Sequence, residues 1–311
     1  MKKRFYSKNN KKKKRVKKYF FLLIFILALT LSYQYLDKNI RKKDQKELVE
    51  ILLSNEPETN LITKVFSLLL PKESKVTDIL AKNYKGLVKE NDQKIVPVAK
   101  TDKKTDSNPT IYIYNTHQTE EYKARNFIEE SVKPTVQMNN YILEDVFTKA
   151  GYNTLVEERN IKEVLNSNHW NYAASYKASR VFLESTKKEN PTLKYFLDVH
   201  RDSLPKDKTT TTINDKSYAK ILFIVGLENP NYIENLNFTE KINQKLIEKY
   251  PNLSKGIYKK AGPGVNGVYN QDISPRSILV EMGGPENTID EVLNTCLAFA
   301  ECFLEVLKDE V

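Results

Sequence analysis

The sequence is poor in the residues that staple or punctuate small folds. Two cysteines, nine glycines, twelve prolines and one tryptophan in 311 residues exclude a disulfide scaffold and any collagen-like or low-complexity architecture. Cys296 and Cys302 fall six residues apart in a helical segment, roughly 9 Å of rise and beyond disulfide reach. Acid is missing from residues 1–18, which carry eleven Lys/Arg. The whole chain nets +10, so the other 293 residues net −1. The basic balance belongs to the tail, and the globular part has no net attraction for nucleic acid. Histidine is also scarce, at three, which makes each position informative.

After the basic tail, residues 19–36 read YFFLLIFILALTLSYQYL without a charge. As a helix this run spans roughly 27 Å, close to the hydrocarbon thickness of a bilayer. Tyr19, Phe20, Tyr33 and Tyr35 flank it, as amphipathic rings do at the membrane interface. The positive-inside rule then places residues 1–18 in the cytoplasm and the remainder outside, as a single-pass protein of the cell membrane. A cleaved signal peptide is the alternative, but no A-x-A site stands near Ser32. Residues 37–108 are charged and mixed, with two short apolar patches (48–52 and 65–70) and a polar run at 99–108. They read as a stalk or linker.

From residue 109 the pattern changes, and residues 109–311 read as one catalytic domain. Apolar β-rich runs at 111–114, 152–158, 194–199, 219–226 and 277–282 alternate with helical periodicity at 139–150, 168–188, 235–249 and 289–308. This is an α/β pattern, a mostly parallel twisted sheet flanked by helices. Ligands gather outside the carboxyl ends of strands in such sheets. Three strands end there in His117, His200 and Glu281. Two imidazoles and a carboxylate suit Zn²⁺, and Glu120, three residues after His117, can reach the same ion from a turn. Glu281 closes an apolar strand before Gly283 and Gly284; a carboxylate buried there is paired, ligating or catalytic. His169 lies in a polar stretch and reads as structural. GPGVNG at 262–267 does not follow a strand, so dinucleotide binding is rejected. That loop is expected to line the cleft, with Tyr269, Asn270 and Gln271 offering hydrogen bonds to a peptide.

These residues also carry a resemblance. IYIYNTHQTEEY, NYAASYKASR, FLDVHRD, AKILFIVG, VYNQDISP and ILVEMGGPENT occur in the order seen in the stage II sporulation protein P family, over about residues 110–308. The resemblance implies a membrane-anchored cell-wall hydrolase of endospore formers. Its fold and mechanism would be those of zinc-dependent N-acetylmuramoyl-L-alanine amidases, with an additional ability to cut peptide cross-links. It further implies peptidoglycan as substrate, stage II sporulation proteins D and M as partners, and a place at the sporulation septum during engulfment. By motif, His117, Glu120 and His200 take the metal and Glu281 the catalytic role. Where the family's first motif often reads His-Thr-His, this chain has Asn115.

On this reading zinc supplies Lewis acidity, Glu281 moves the proton, Arg201 assists the oxyanion, and Asp198 or Asp202 orients His200. Two other readings use the same residues. One is a zinc carboxypeptidase or endopeptidase acting on peptide stems alone. The other is a non-catalytic module that binds peptidoglycan or a septal partner.

Overall fold

The computed structural model describes residues 45–53, 108–125 and 132–310, with Tyr19, Ile26, Thr30 and Leu31 besides. The basic tail, most of the expected anchor at 19–36 and most of the stalk lie outside the described residues. Among the described residues no helix is long and apolar enough to cross a membrane. The chain falls into two units, and the one formed by Gln45–Asn55 with Asp92–Val311 holds the α/β fold.

Its elements are α1 (Gln45–Leu53), β1 (Ile111–Tyr114), α2 (Gln137–Lys149), β2 (Thr154–Val156), α3 (Ile161–Ser167), α4 (Ser175–Glu189) and β3 (Tyr195–His200). There follow α5 (Lys206–Thr209), β4 (Thr210–Ile213), β5 (Lys216–Ala219), β6 (Ile221–Gly226), α6 (Tyr232–Lys249), β7 (Ser254–Lys260), β8 (Arg276–Met282) and α7 (Ile289–Lys308). The main sheet has the order β2-β1-β3-β8-β6-β7. Four strands (β2, β1, β3 and β8) run parallel, while β6 pairs antiparallel to β8 and β7 parallel to β6. The sheet is therefore mostly parallel and helix-flanked, as the alternating pattern predicts.

Strands β1, β3 and β6 are buried along their whole length, which is why they read as near-continuous apolar runs. Alternation then divides the side chains between two layers. On one face Tyr195 meets Phe238 of α6, Phe223 meets Phe299 of α7, and Phe147 of α2 meets Phe303. On the other, Tyr112, Tyr114 and Phe196 form a core with Leu183 of α4. Helix α7 starts on a reciprocal capping box, in which Thr288 caps and Glu291 returns the bond. Cys296 and Cys302 are free and buried in that helix.

Several local expectations are corrected. The helix expected over 168–188 begins at Ser175, because residues 168–171 form a turn with His169 in the left-handed region (φ 54°) before a 3₁₀ turn at Tyr172–Ala174. A small β4–β5 hairpin turns on Asn214 and Asp215, both at positive φ, the signature of a tight two-residue hairpin. Helix α1, within the segment read as a stalk, packs on the α/β body. Leu48 and Val49 are buried, and Lys46 stands over the ring of Tyr141 in α2. The Gln45 Oε1 accepts both the N–H and the hydroxyl of Thr135, at 3.1 and 2.8 Å.

Candidate metal and catalytic site

The site stands on the α4 side of the sheet, at the carboxyl edge of β1, β3 and β8. Alternation on β3 explains it: Phe196 enters the α4 core, and two and four residues later Asp198 and His200 point the same way. His200 and Glu281 are direct register partners on β3 and β8. His117 and Glu120 sit in the turn after β1, closed by the Glu120 N–H donating to the His117 carbonyl at 3.2 Å.

One potential ligand atom from each of His117, Glu120 and His200 lies within 4.8 Å of the others. His117 Nδ1 is 3.4 Å from Glu120 Oε1, and His200 Nδ1 is 3.7 Å from Glu120 Oε2. The backbone N–H of Arg201 donates to Glu120 Oε2 at 2.9 Å and fixes the carboxylate. Two imidazole nitrogens and one carboxylate oxygen, converging without a cysteine, form a donor set that fits Zn²⁺.

The charges respond to this crowding. Burial alone would raise the Glu120 carboxyl, but hydrogen bonds from His117 and His200 outweigh it and hold it down at about 2. Burial opposes the charge of His200, yet Asp198 and Glu120 overcome that and lift it to about 10. Glu281 goes the other way: burial, then the neighbouring Asp202, push it up to about 7.

Behind His200 stands Asp198, almost wholly buried. Its oxygens accept the backbone N–H and hydroxyl of Thr116 at 2.9 and 2.7 Å. His200 Nε2 is 2.9 Å from Asp198 Oδ1, but off the line a hydrogen bond requires, so this buried nitrogen has no hydrogen-bond partner. The distance nevertheless makes Asp198 the carboxylate behind the imidazole. Asp202 is committed elsewhere, to Lys255 Nζ at 2.6 Å and the Leu204 N–H at 3.1 Å.

Asn115 is no ligand. It is buried in a reciprocal amide pair with Asn140 and also donates to the Val199 carbonyl at 2.6 Å. Where His-Thr-His family members carry histidine, this chain ties β1 to α2. Arg201 is tied to the turn that carries Glu120. Its Nε donates to the Glu121 carbonyl at 2.8 Å and its Nη1 to that of Asp202 at 3.2 Å. These two bonds clamp the Glu120 turn to the end of β3.

The loop after β7 reaches the site through Tyr269, one of the three residues expected there. Gln271 is buried, its Oε1 accepting the Gly226 N–H at 2.8 Å and its Nε2 donating to the Ile224 carbonyl at 2.8 Å. Asn270 donates to the Tyr176 carbonyl and Ser179 Oγ at 2.9 and 3.0 Å. Both amide ends of Gln271 and the Nδ2 of Asn270 are thus engaged within the protein. Gln271→Ala should lower unfolding stability by about 1–3 kcal/mol, because it strands two buried backbone groups of β6. KM should stay the same in that variant; a raised KM with unchanged stability would return Gln271 to the substrate.

Tyr269 is the residue of this loop that faces the site. It holds φ 53°, with Asn270 at 55°, a conformation that costs a bulky residue on the order of 1–2 kcal/mol. Asn266 Oδ1 secures it by accepting the Tyr269 N–H at 2.6 Å.

Sequence reasoning missed three contributors. Tyr172 stacks on His117, with centroids 5.1 Å apart and planes at 23°. Tyr176 meets His117 edge-on at 5.6 Å. The i,i+4 spacing of these tyrosines, one in the 3₁₀ turn and one in the first turn of α4, was the available signal. Lys255, the third, is aimed by a register shift in β7 at Gly256 (φ 93°), as bulges do beside active sites.

Among solved structures, the CwlD amidase from Clostridioides difficile in complex with the GerS lipoprotein aligns with a TM-score of 0.43 and 13% identity, covering 65% of this chain and 100% of that one. A metallo-carboxypeptidase from Burkholderia cenocepacia aligns with a TM-score of 0.37 and 12% identity, covering 67% and 60%. Likenesses this loose carry no weight for function. The stage II sporulation protein P of Bacillus subtilis (strain 168) is 36% identical over 213 residues, 66% of this chain and 53% of the relative. The match thus spans about half the length of that curated protein. A family model for stage II sporulation protein P (SpoIIP) matches residues 29–304, nearly the whole of the sequence, and the chain belongs to that family.

Proposed function

We propose that this protein is a membrane-anchored, zinc-dependent peptidoglycan hydrolase that cleaves the N-acetylmuramoyl-L-alanine amide bond. It would remodel the septal wall during endospore engulfment, together with stage II sporulation proteins D and M. The observation that carries the chemistry is the convergence of His117, Glu120 and His200, with Glu281 as the cross-strand partner of His200.

His117, Glu120 and His200 would hold the zinc, which when bound supplies Lewis acidity toward water and the scissile carbonyl. Asp198 places a buried negative charge 2.9 Å from the second ring nitrogen of His200, favouring the cationic or metal-bound imidazole. Glu281 takes a proton from the attacking water and passes it to the departing nitrogen of L-alanine. The water oxygen bonds to the carbonyl carbon, the C–N bond breaks, and a carboxylic acid and an amine result. A carboxyl raised to about 7 serves both halves of that exchange near neutral pH. Arg201 and Thr116 hold the turns that carry these groups.

The test is mass spectrometry of fragments released from purified peptidoglycan by the full chain in detergent, with and without a chelator. Free stem peptides beginning at L-alanine, absent with chelator, are the expected products. Cleaved cross-links alone would replace the amidase reading by the peptidase one. A folded, zinc-loaded protein that releases nothing would support the binding module.

A further inference from the structure

Four aromatic side chains form a continuous series of ring contacts at the site. Tyr172, 56% exposed at the rim, stacks on His117. His117 meets Tyr176 edge-on, and Tyr176 meets Tyr269 edge-on at 5.4 Å. Tyr176 also lies parallel to the His200 ring at 6.5 Å. The far end is fixed by the sheet. Tyr269 packs with Leu222, Ile224 and Leu279; Leu222 is the register partner of Glu281, and Leu279 precedes Glu281 by two residues on the same face. The series therefore runs from an open tyrosine face beside His117, past the candidate ligands, to a tyrosine beside Glu281.

The two ends are not equivalent. Resting on the amidase reading, the scissile bond joins an acyl group borne on a sugar to the amine of a peptide. Glu281 delivers its proton to the amine, so the peptide must depart on the Glu281 side and the sugar must lie on the opposite one. The opposite end offers a flat, exposed ring, a surface on which the C–H face of a pyranose stacks. We propose that the aromatic lane fixes the direction of the substrate, with the muramoyl sugar seated on Tyr172 and the peptide stem running past Tyr269.

The experiment compares two substrates with the same peptide, a disaccharide–peptide and its glycan-free lactoyl–peptide counterpart, using zinc-loaded full chain in detergent. The wild type should prefer the sugar-bearing substrate. Tyr172→Ala should raise KM for that substrate roughly tenfold with little change in kcat, bringing the two substrates close to parity. Tyr269→Ala should lower kcat/KM for both alike. Zinc content shows whether His117 survives the change; should Tyr172→Ala lose metal, Tyr172→Leu keeps bulk against the imidazole and makes the same comparison.

Equal rates for the two substrates in the wild type would overturn the sugar seat while leaving the amidase standing. Equal loss on both substrates in a zinc-replete Tyr172→Ala protein would reduce Tyr172 to a buttress of His117. Loss of sugar preference in Tyr269→Ala alone would reverse the direction. Release of no stem peptide from either substrate by the wild type would remove the amidase reading, and this one with it.

Discussion

Glu281→Gln is expected to retain zinc and to lower kcat by about 10³-fold, within the range general acid–base groups supply. The substitution keeps the shape of the side chain and removes its ability to take a proton. Glu281 sits at the end of β8, opposite His200 on β3, so it touches the reacting region without belonging to the three converging ligand candidates. Its raised value of about 7 comes from burial and from Asp202 beside it. The ionised form is the one that accepts a proton from water, so kcat/KM should fall as pH drops through the acidic limb. A bound dication favours the ionised carboxylate, which places that limb at or below about 7. Zinc content by elemental mass spectrometry and a pH–rate profile measure both halves. A Glu281→Gln protein that stays active, or one that loses zinc first, removes Glu281 from the proton-transfer role.

His200→Ala is expected to abolish stable metal binding. His200 is almost fully buried between Asp198 and Glu120, and its loss leaves one imidazole and one carboxylate. Changes to the groups behind a ligand cost 10–100-fold in metal affinity, and loss of the ligand itself should exceed roughly 100-fold. The variant also leaves Asp198 without its neighbour, so folding is checked separately by circular dichroism. His117→Ala, at a more open position, gives the same metal readout with less disturbance of the core. Full zinc occupancy in folded His200→Ala protein would end the ligand assignment.

The edge that carries the candidate site was legible because β1, β3 and β8 are buried strands whose apolar runs end abruptly in polar residues. His117, His200 and Glu281 announce themselves by that change of chemistry at a strand terminus. Residues whose role depends on loop conformation did not. Asn270 and Gln271 look like donors in a polar loop, and only the left-handed backbone at Tyr269 and Asn270 decides that the amides turn inward and the phenol outward. Strand β7, SKGIYKK, carries no apolar run because it is a half-exposed edge strand. Nothing in that pattern singles out Lys255, which ends against Asp202. Helix α3 is a single short stretch burying only Ile161 and Leu165, too few apolar positions to set a period.

The seat of α1 joins a segment outside the sheet to one side of the site. Gln45 holds Thr135 by two hydrogen bonds; Thr135 bridges Glu121, and the next residue, Val136, donates to the Glu120 carbonyl. Helix α1 is therefore linked to the turn bearing Glu120 through Thr135 and Val136. Two residues thus separate α1 from a candidate metal ligand, while His200 and Glu281 stand on the β3–β8 ladder, which α1 does not join.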